Sequence, residues 1–385
     1  MELLEQINQE LEVLKKKRNF RSLPSLIHHG KEVEVNGQQM LNLSSNDYLG
    51  LTNDLSLRQE FLEGLTPETF LPSSSSSRLL TGSYTAYQQL EQQLAEIFGT
   101  ESALVFNSGY HANTGILPAV SNTHTLILAD KLIHASLIDG IRLSSAKFIR
   151  YRHNHLPHLE KLLEENYRQY ERIIIVTESI FSMDGDEADL CALVQLKKIY
   201  PNVLLYVDEA HAFGVRGRKG LGCAEEQNCI PDIDFLVGTF GKAIASTGAY
   251  VVCRQGIREY LINKMRTFIF TTALPPVNVQ WTSFIIRRLP ELQEKRISLQ
   301  QISRKLKEAL AQKGYDSPSV SHIVPMVVGE SEATILKATE LQRKGFYALP
   351  VRPPTVPEGT ARIRFSLTAD ITENEIDELI KTIQA

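Results

Sequence analysis

The sequence predicts an α/β protein built on a large, mainly parallel sheet, with a smaller C-terminal α+β domain. Three observations carry this. Seven short apolar runs, at residues 103–106, 126–128, 148–151, 173–176, 203–207, 235–237 and 250–252, alternate with helical stretches, as in doubly wound sheets whose strands are covered on both faces. The runs at 173–176 and 203–207, with a helix near 187–199 between them, span about the 30 residues of one βαβ unit. Finally, Pro275-Pro276 breaks the pattern before a long helical stretch near 277–312, and shorter elements follow at 324–328, 334–344 and 362–366. With 385 residues the chain exceeds the usual limit of one hydrophobic core.

Before the first sheet strand, Leu3, Leu4, Ile7, Leu11 and Leu14 recur at helical spacing ahead of Lys15-Lys-Lys-Arg18. This is an amphipathic helix expected to pack on the body of the protein or on a partner subunit. Two β-like stretches at 32–35 and 40–43 lead into the turn-rich Ser44-Ser-Asn-Asp-Tyr-Leu-Gly50. The serine run Ser73–Ser77 reads as a flexible linker. The expected organisation is an N-terminal helix and arm over 1–43, a large domain over 44–280 and a small domain over 281–385.

Composition excludes several roles. With 43% hydrophobic residues and a net charge of −4, the chain has no basic excess for nucleic acid or an anionic membrane. Met1-Glu-Leu-Leu-Glu5 lacks the basic and apolar regions of a signal peptide, and no run approaches the roughly 18 apolar residues that span a bilayer. A cytoplasmic protein is expected. Cys191, Cys223, Cys229 and Cys253 have no CxxC spacing, so free thiols are expected rather than disulfides or metal ligands.

The chemistry gathers at strand ends, where open α/β sheets place their ligands. Asp208, in Val207-Asp-Glu-Ala-His211, closes the run 203–207, and Lys242, in Gly238-Thr-Phe-Gly-Lys-Ala243, follows the run 235–237 by a small-residue loop. An amine that can hold an aldehyde and a carboxylate that can keep a ring nitrogen protonated are what pyridoxal phosphate requires. Phe106-Asn-Ser-Gly-Tyr-His111 follows a strand and opens a helix, so the amides of Gly109 and Tyr110 either face a phosphate or form a plain turn. Ser108, Thr239, Thr271 and Thr272 offer hydroxyls. His134 either lies flat on an aromatic cofactor or is a hydrogen-bonded core histidine, the commoner outcome for a lone His. His211, three residues after Asp208, can reach a phenolic oxygen. Ser182, in Phe181-Ser-Met-Asp-Gly-Asp186, either donates there or is a turn residue.

The run Gly214–Gly222 lacks the helix start that a dinucleotide fingerprint needs. It reads as a loop near the site, with Arg216, Arg218 and Lys219 solvated. Arg352-Pro-Pro-Thr-Val-Pro357 is a stiff loop whose guanidinium either captures a carboxylate or sits at the surface.

Together, Ser44–Gly50, Val207–His211, Gly238–Lys242 and Arg352–Pro357 resemble the α-oxoamine synthase family of pyridoxal phosphate enzymes, with the aspartate-aminotransferase-type fold, from about Leu41 to the C-terminus. The resemblance implies that Lys242 carries the cofactor, Asp208 pairs with its ring nitrogen, His134 stacks on the ring, and His211 and Ser182 bond its phenolic oxygen. Gly109, Tyr110 and Thr239 would hold the phosphate, with Thr272 supplied by the other subunit of a homodimer. Arg352 would take the amino-acid carboxylate with Asn46 nearby, while Arg21 and Arg18 are candidates for the acyl substrate and its carrier.

The implied reaction is decarboxylative condensation of L-alanine with an acyl thioester of coenzyme A or acyl carrier protein, with Lys242 removing the α-proton. The proline loop points to the pimeloyl-using reaction of biotin synthesis. Glycine, serine and other acyl chains are the alternatives within the family, and a non-catalytic partner subunit is the alternative outside it. The sequence departs from the family at Ser73–Ser77, where relatives carry glycines before an Arg-Leu like Arg78-Leu79, and at Ala245, where glycine is common.

Overall fold

The computed structural model describes residues 3–383. Met1 and Glu2, part of the N-terminal stretch read above, lie outside the described residues.

By Cα proximity the chain divides into two compact units. One contains Leu49–Ser182 and Asp186–Ile297; the other contains the residues up to Tyr48, Met183–Gly185 and the residues from Ser298 onward.

The first unit is built on a seven-stranded sheet in the order Ser102–Phe106, Ala249–Cys253, Phe235–Thr239, Val203–Asp208, Arg172–Glu178, Thr125–Asp130, Lys147–Tyr151. Each strand contains one of the seven apolar runs. Most extend past it by one or two residues, and at the carboxyl ends these additions include Asp130, Glu178, Asp208 and Thr239. Except in the mostly exposed edge strand Lys147–Tyr151, the apolar run marks the buried middle of a strand, while carboxyl ends carry the polar groups of a site. Pairing is parallel throughout except at Ala249–Cys253, which is antiparallel to both neighbours. A parallel return needs a crossover of a dozen or more residues. Only the nine residues 240–248 separate Phe235–Thr239 from Ala249–Cys253, so the chain turns straight back, and Lys242 lies in that connection.

The helical stretch 277–312 is two helices, Pro276–Arg288 and Gln293–Gln312, separated by a 3₁₀ turn at Leu289–Leu292. Pro290 lies in that turn and lacks the N–H that a continuous helix would need. Pro276–Arg288 packs on Thr85–Phe98 of the first unit, with Ser283 Oγ donating to Gln93 Oε1 at 2.6 Å. The division between units therefore falls after Ile297 rather than near 280.

The serine run is not a flexible linker. Ser74 is 3% exposed and its hydroxyl donates to the Leu274 carbonyl. The Ser76 carbonyl accepts from Ala273 N at 2.9 Å and the Ser77 carbonyl from Gly82 N at 2.9 Å. Serine-rich composition suggests mobility only where the backbone and hydroxyls have no fixed partners.

The second unit holds a four-stranded sheet, Ile27–His29, Glu32–Val35, Gln38–Asn42, Phe346–Tyr347, and a three-stranded sheet, Ile323–Gly329, Ala361–Ser366, Pro350–Val351. Phe346–Tyr347 pairs in parallel with Leu41–Asn42, and Ser366 N donates to the Leu43 carbonyl at 2.9 Å. The N-terminal arm thus joins C-terminal residues through pairings more than 300 positions apart. The helix Leu3–Lys16 buries none of its residues, and Leu3 and Leu4 are 72% and 66% exposed. Its apolar stripe is therefore not packed on the chain itself. No helix among the described residues is long and apolar enough to cross a membrane. All four cysteines are free; Cys191 is exposed and the other three are buried.

Candidate active site

The parallel register sets the carboxyl ends side by side, with Glu178 opposite Asp208 and Asp208 opposite Val237. Asp208 is 6% exposed. Its Oδ2 accepts from Asn113 Nδ2 at 2.8 Å and its Oδ1 from Ala210 N at 2.9 Å. These donors fix its orientation but carry no charge, so a buried anion here suits a cationic N–H such as that of a protonated pyridine.

Asn113 lies on the helix Gly109–Val120, four residues past Gly109 and so on the same face. Tyr206 Oη donates to Asn113 Oδ1 at 2.6 Å, while Asn113 Nδ2 donates to Asp208 and, at 2.9 Å, to Ser136 Oγ. Ser136 Oγ must then pass its own hydrogen on, and His134 Nδ1 lies 2.8 Å away. His134 Nδ1 also accepts the Ser136 backbone N–H at 3.2 Å. The imidazole is therefore neutral, with its proton on Nε2. Burial pushes its pKa down, against the charge of Asp208 and with that of Lys242.

The His134 backbone N–H is held by the Glu178 carboxylate. Burial, then the charge of Asp208, raises the Glu178 pKa well above the usual carboxylate range. Lys242 Nζ lies 2.7 Å from Nε2 of the buried His211, so the amine and the imidazole share a hydrogen bond.

At the other end, Ser108 caps the helix Gly109–Val120, its Oγ accepting from His111 N at 3.2 Å. A Cβ at Gly109 would stand 3.8 Å from the Thr239 Cβ, so the bare helix start and the Thr239 hydroxyl are neighbours. Thr239 Oγ1 accepts from Gly241 N at 3.2 Å and donates to the Gly248 carbonyl at 3.0 Å. The exposed Tyr110 ring points its hydroxyl at Asp139 Oδ2, 2.5 Å away. Asn107 Nδ2 donates at 2.7 Å to the carbonyl of Thr272 in the same chain. Backbone amides at a helix start with adjacent hydroxyls suit a phosphate. Ser182 sits in the turn after Arg172–Glu178, half-buried.

The glycine-rich loop is closed by a residue with no place in the sequence reading. Glu209, fully buried, accepts from Ser179 Oγ at 2.5 Å, Cys223 N at 3.1 Å and Ala224 N at 2.7 Å. Burial pushes its carboxyl up to about 7 against those donors. Arg216 is not solvated: it pairs with Glu187 at 2.8 Å and Glu226 at 2.7 Å. Arg218 and Lys219 are exposed. Ala245 adopts φ 51°, the left-handed region that glycine enters without strain.

In the second unit, Arg352 is half-buried and its Nη1 donates to the Arg18 carbonyl. Arg21 Nη2 donates to Thr355 Oγ1 at 2.9 Å. Burial, then the charge of Arg21, lowers the Arg352 pKa. Two guanidiniums whose charges repel in this way favour an anion between them. Asn46 is exposed, its Oδ1 accepting from Tyr48 Oη at 3.1 Å.

The sequence reading missed Asn113, Ser136, Tyr206 and Glu178. Two of them carried a signal: Asn113 is one turn beyond Gly109, and Glu178 ends a run paired with that of Asp208. The links through Ser136 and Tyr206 exist only in the fold.

The aminotransferase class I and II family matches residues 38–383. A Pasteurella multocida chain, provisionally named 8-amino-7-oxononanoate synthase, is 56% identical over 377 residues, 98% of this chain and 97% of that one. A serine palmitoyltransferase from S. paucimobilis, solved with bound PLP and myriocin, superposes with a TM-score of 0.90 at 30% identity, covering 99% of this chain and 97% of the other. The 8-amino-7-oxononanoate synthase of Francisella tularensis gives 0.76 at 30% identity, over 89% and 96%. A buried carboxylate held by neutral donors, a lysine beside a histidine at the strand ends, and a match over nearly the whole length agree: the chain belongs to the aminotransferase class I and II family and is a pyridoxal phosphate-dependent α-oxoamine synthase.

Proposed function

We propose that this enzyme condenses L-alanine with a pimeloyl thioester, carried on coenzyme A or acyl carrier protein, to give 8-amino-7-oxononanoate, carbon dioxide and free thiol in biotin synthesis. It works as a cytoplasmic homodimer, to which the exposed apolar stripe of Leu3–Lys16 offers a surface. The observation that carries the choice of substrates is the 56% identity over nearly the full length to a chain provisionally given that name.

Bound pyridoxal phosphate supplies a ring that takes up the electron pair left at the alanine α-carbon. Lys242 Nζ would hold the cofactor's aldehyde and, as a free amine, would take the α-proton; His211, 2.7 Å away, orients that amine. The carbon so freed forms a bond to the thioester carbonyl as the C–S bond breaks and thiolate leaves. Loss of the alanine carboxylate as carbon dioxide follows, and Lys242 Nζ returns a proton to the same carbon.

Asp208 would keep the ring nitrogen protonated. The neutral His134 would stack on the ring, and His211 and Ser182 would donate to its phenolic oxygen. The Gly109 and Tyr110 amides, the Thr239 hydroxyl and Thr272 of the partner subunit would hold the phosphate. Arg352 forks onto the alanine carboxylate with Asn46 beside it, and Arg21 serves the acyl substrate.

The test is a screen of alanine, glycine and serine against thioesters of increasing chain length. The highest kcat/KM is expected for alanine with the pimeloyl thioester, and a preference for serine with a long acyl chain overturns the reading. Arg352→Lys replaces a two-pronged donor by a point charge. Loss of one charge-assisted bond, about 1.5–3 kcal/mol, should raise the alanine dissociation constant roughly tenfold or more.

A further inference from the structure

Outside the groups assigned above, the first unit holds a histidine gripped by two carboxylates. His153 Nδ1 lies 2.9 Å from Asp130 Oδ1 and His153 Nε2 lies 2.7 Å from Asp186 Oδ2. Ionised carboxylates only accept, so both ring nitrogens must carry hydrogen and the ring is an imidazolium. Asn154, next in the chain, reinforces both grips. Its backbone N–H donates to Asp130 Oδ2 at 2.9 Å, and its side-chain amide donates to Asp186 Oδ2 at 2.8 Å and to the Glu187 carbonyl at 3.1 Å. Asp186 Oδ1 is buried with no hydrogen-bond partner, which a carboxylate tolerates only beside a positive charge.

These contacts land on both sides of Ser182. Ile180 and Glu187 form an antiparallel bridge, and Phe181 N donates to the Asp186 carbonyl at 3.0 Å, so residues 181–186 form a closed loop with Ser182 in its turn. The His153 ring meets the Phe181 ring edge-on, with centroids 4.4 Å apart. One side chain thus packs on the residue before Ser182 and bonds the residue that closes the loop. Its other nitrogen is anchored to Asp130, at the end of the strand Thr125–Asp130, which pairs with Arg172–Glu178. The base of the loop is tied to the catalytic strand end as well, because Ser179 N donates to the Asp208 carbonyl at 3.0 Å.

We propose that His153 is a positioning residue for Ser182: as an imidazolium between Asp130 and Asp186 it latches the loop 181–186 and so fixes the hydroxyl that serves the cofactor's phenolic oxygen. The proposal rests on the role given to Ser182 above, and its test separates the two.

In the cofactor-free protein, hydrogen exchange followed by mass spectrometry reads the latch directly. His153→Gln and Asp186→Asn each remove a charge-assisted bond, so amides in 181–187 should exchange roughly tenfold faster or more, with Arg172–Glu178 unchanged. Unaltered loop exchange in both variants, or equal acceleration in that strand, overturns the proposal. In the holoenzyme, His153→Gln should move the balance between the two absorption bands of the bound cofactor in the same sense as Ser182→Ala, and add nothing in the double variant. An additive shift in the double variant overturns the link to Ser182. If Ser182→Ala itself leaves the bands unchanged, the role of Ser182 and its link to His153 fail together, and loop exchange alone decides whether the latch exists.

Discussion

Asn113 has one carbonyl oxygen and two N–H hydrogens to offer, and Tyr206, Asp208 and Ser136 use all three. Its amide orientation therefore dictates the proton on the Ser136 hydroxyl, and through it the neutral form of His134. Burial pushes the Tyr206 phenol well above its usual pKa, so it remains a donor. Replacing Asn113 by Ala leaves a buried carboxylate oxygen and a buried phenol without partners. Losing a bond to a charged group costs about 1.5–3 kcal/mol, so Asn113→Ala should raise the dissociation constant for pyridoxal phosphate roughly tenfold or more, read by equilibrium dialysis. Lys242→Ala should retain the phosphate contacts yet lose turnover by at least the roughly 10²–10⁴-fold of a missing base. Near-normal turnover in that variant, measured by release of free thiol, removes Lys242 from the chemistry.

Among the elements, the connections after the strand ends decide how the site is held. The antiparallel return through residues 240–248 carries Lys242, with Ala245 in the left-handed region and its carbonyl accepting from Trp281 Nε1 at 2.8 Å. The glycine-rich loop turns back onto Glu209, and Gly222 makes that approach possible. Its φ is 107°, and a Cβ there would stand 2.7 Å from the Glu209 carboxyl group. Gly222→Ala combines this clash with backbone strain of about 1–3 kcal/mol. A fall of several degrees in the thermal midpoint is expected, at roughly 2–4 °C per kcal/mol for a domain of this size class. An unchanged midpoint would mean that the loop does not depend on this close approach.

At the scale of the whole molecule, the pH dependence of stability should carry the signature of His153. Burial alone would lower its pKa, but the hydrogen bonds to Asp130 and Asp186, with their charges, outweigh burial and raise it to about 10 from 6.5. A folded value above the unfolded one means that the folded state binds the proton more tightly. The stabilisation is thus complete below about pH 6.5 and is lost as pH rises through about 10. Asp130, Asp186, Asn154 and the Phe181 ring are the groups that face the imidazole. The thermal midpoint of the wild type should fall between about pH 7 and pH 10, and His153→Gln should flatten that part of the profile. Parallel profiles for the two proteins would exclude His153 as the source.

By itself the sequence determined the seven strands of the large sheet, because inner strands covered on both faces read as short apolar runs; only the run of the edge strand Lys147–Tyr151, which is mostly exposed, contains a charged residue, Arg150. It also located residues within their own elements: Asp208 at a strand end with His211 just beyond it, Lys242 in the next connection, Gly109 at a helix start. Tertiary structure alone decided what depends on distant partners. The arm around Leu41–Asn42 joins the C-terminal unit because its backbone pairs with Phe346–Tyr347. Ser73–Ser77 is fixed rather than mobile because its hydroxyls and carbonyls meet Leu274, Ala273 and Gly82. Arg216 is paired rather than solvated because Glu187 and Glu226 converge on it. His153, one of ten histidines, gained its charge only when folding brought two carboxylates to its two nitrogens. Periodicity and local motifs report which face a residue presents and what it can do; which donor or charge from another element it meets is fixed by the packing of those elements.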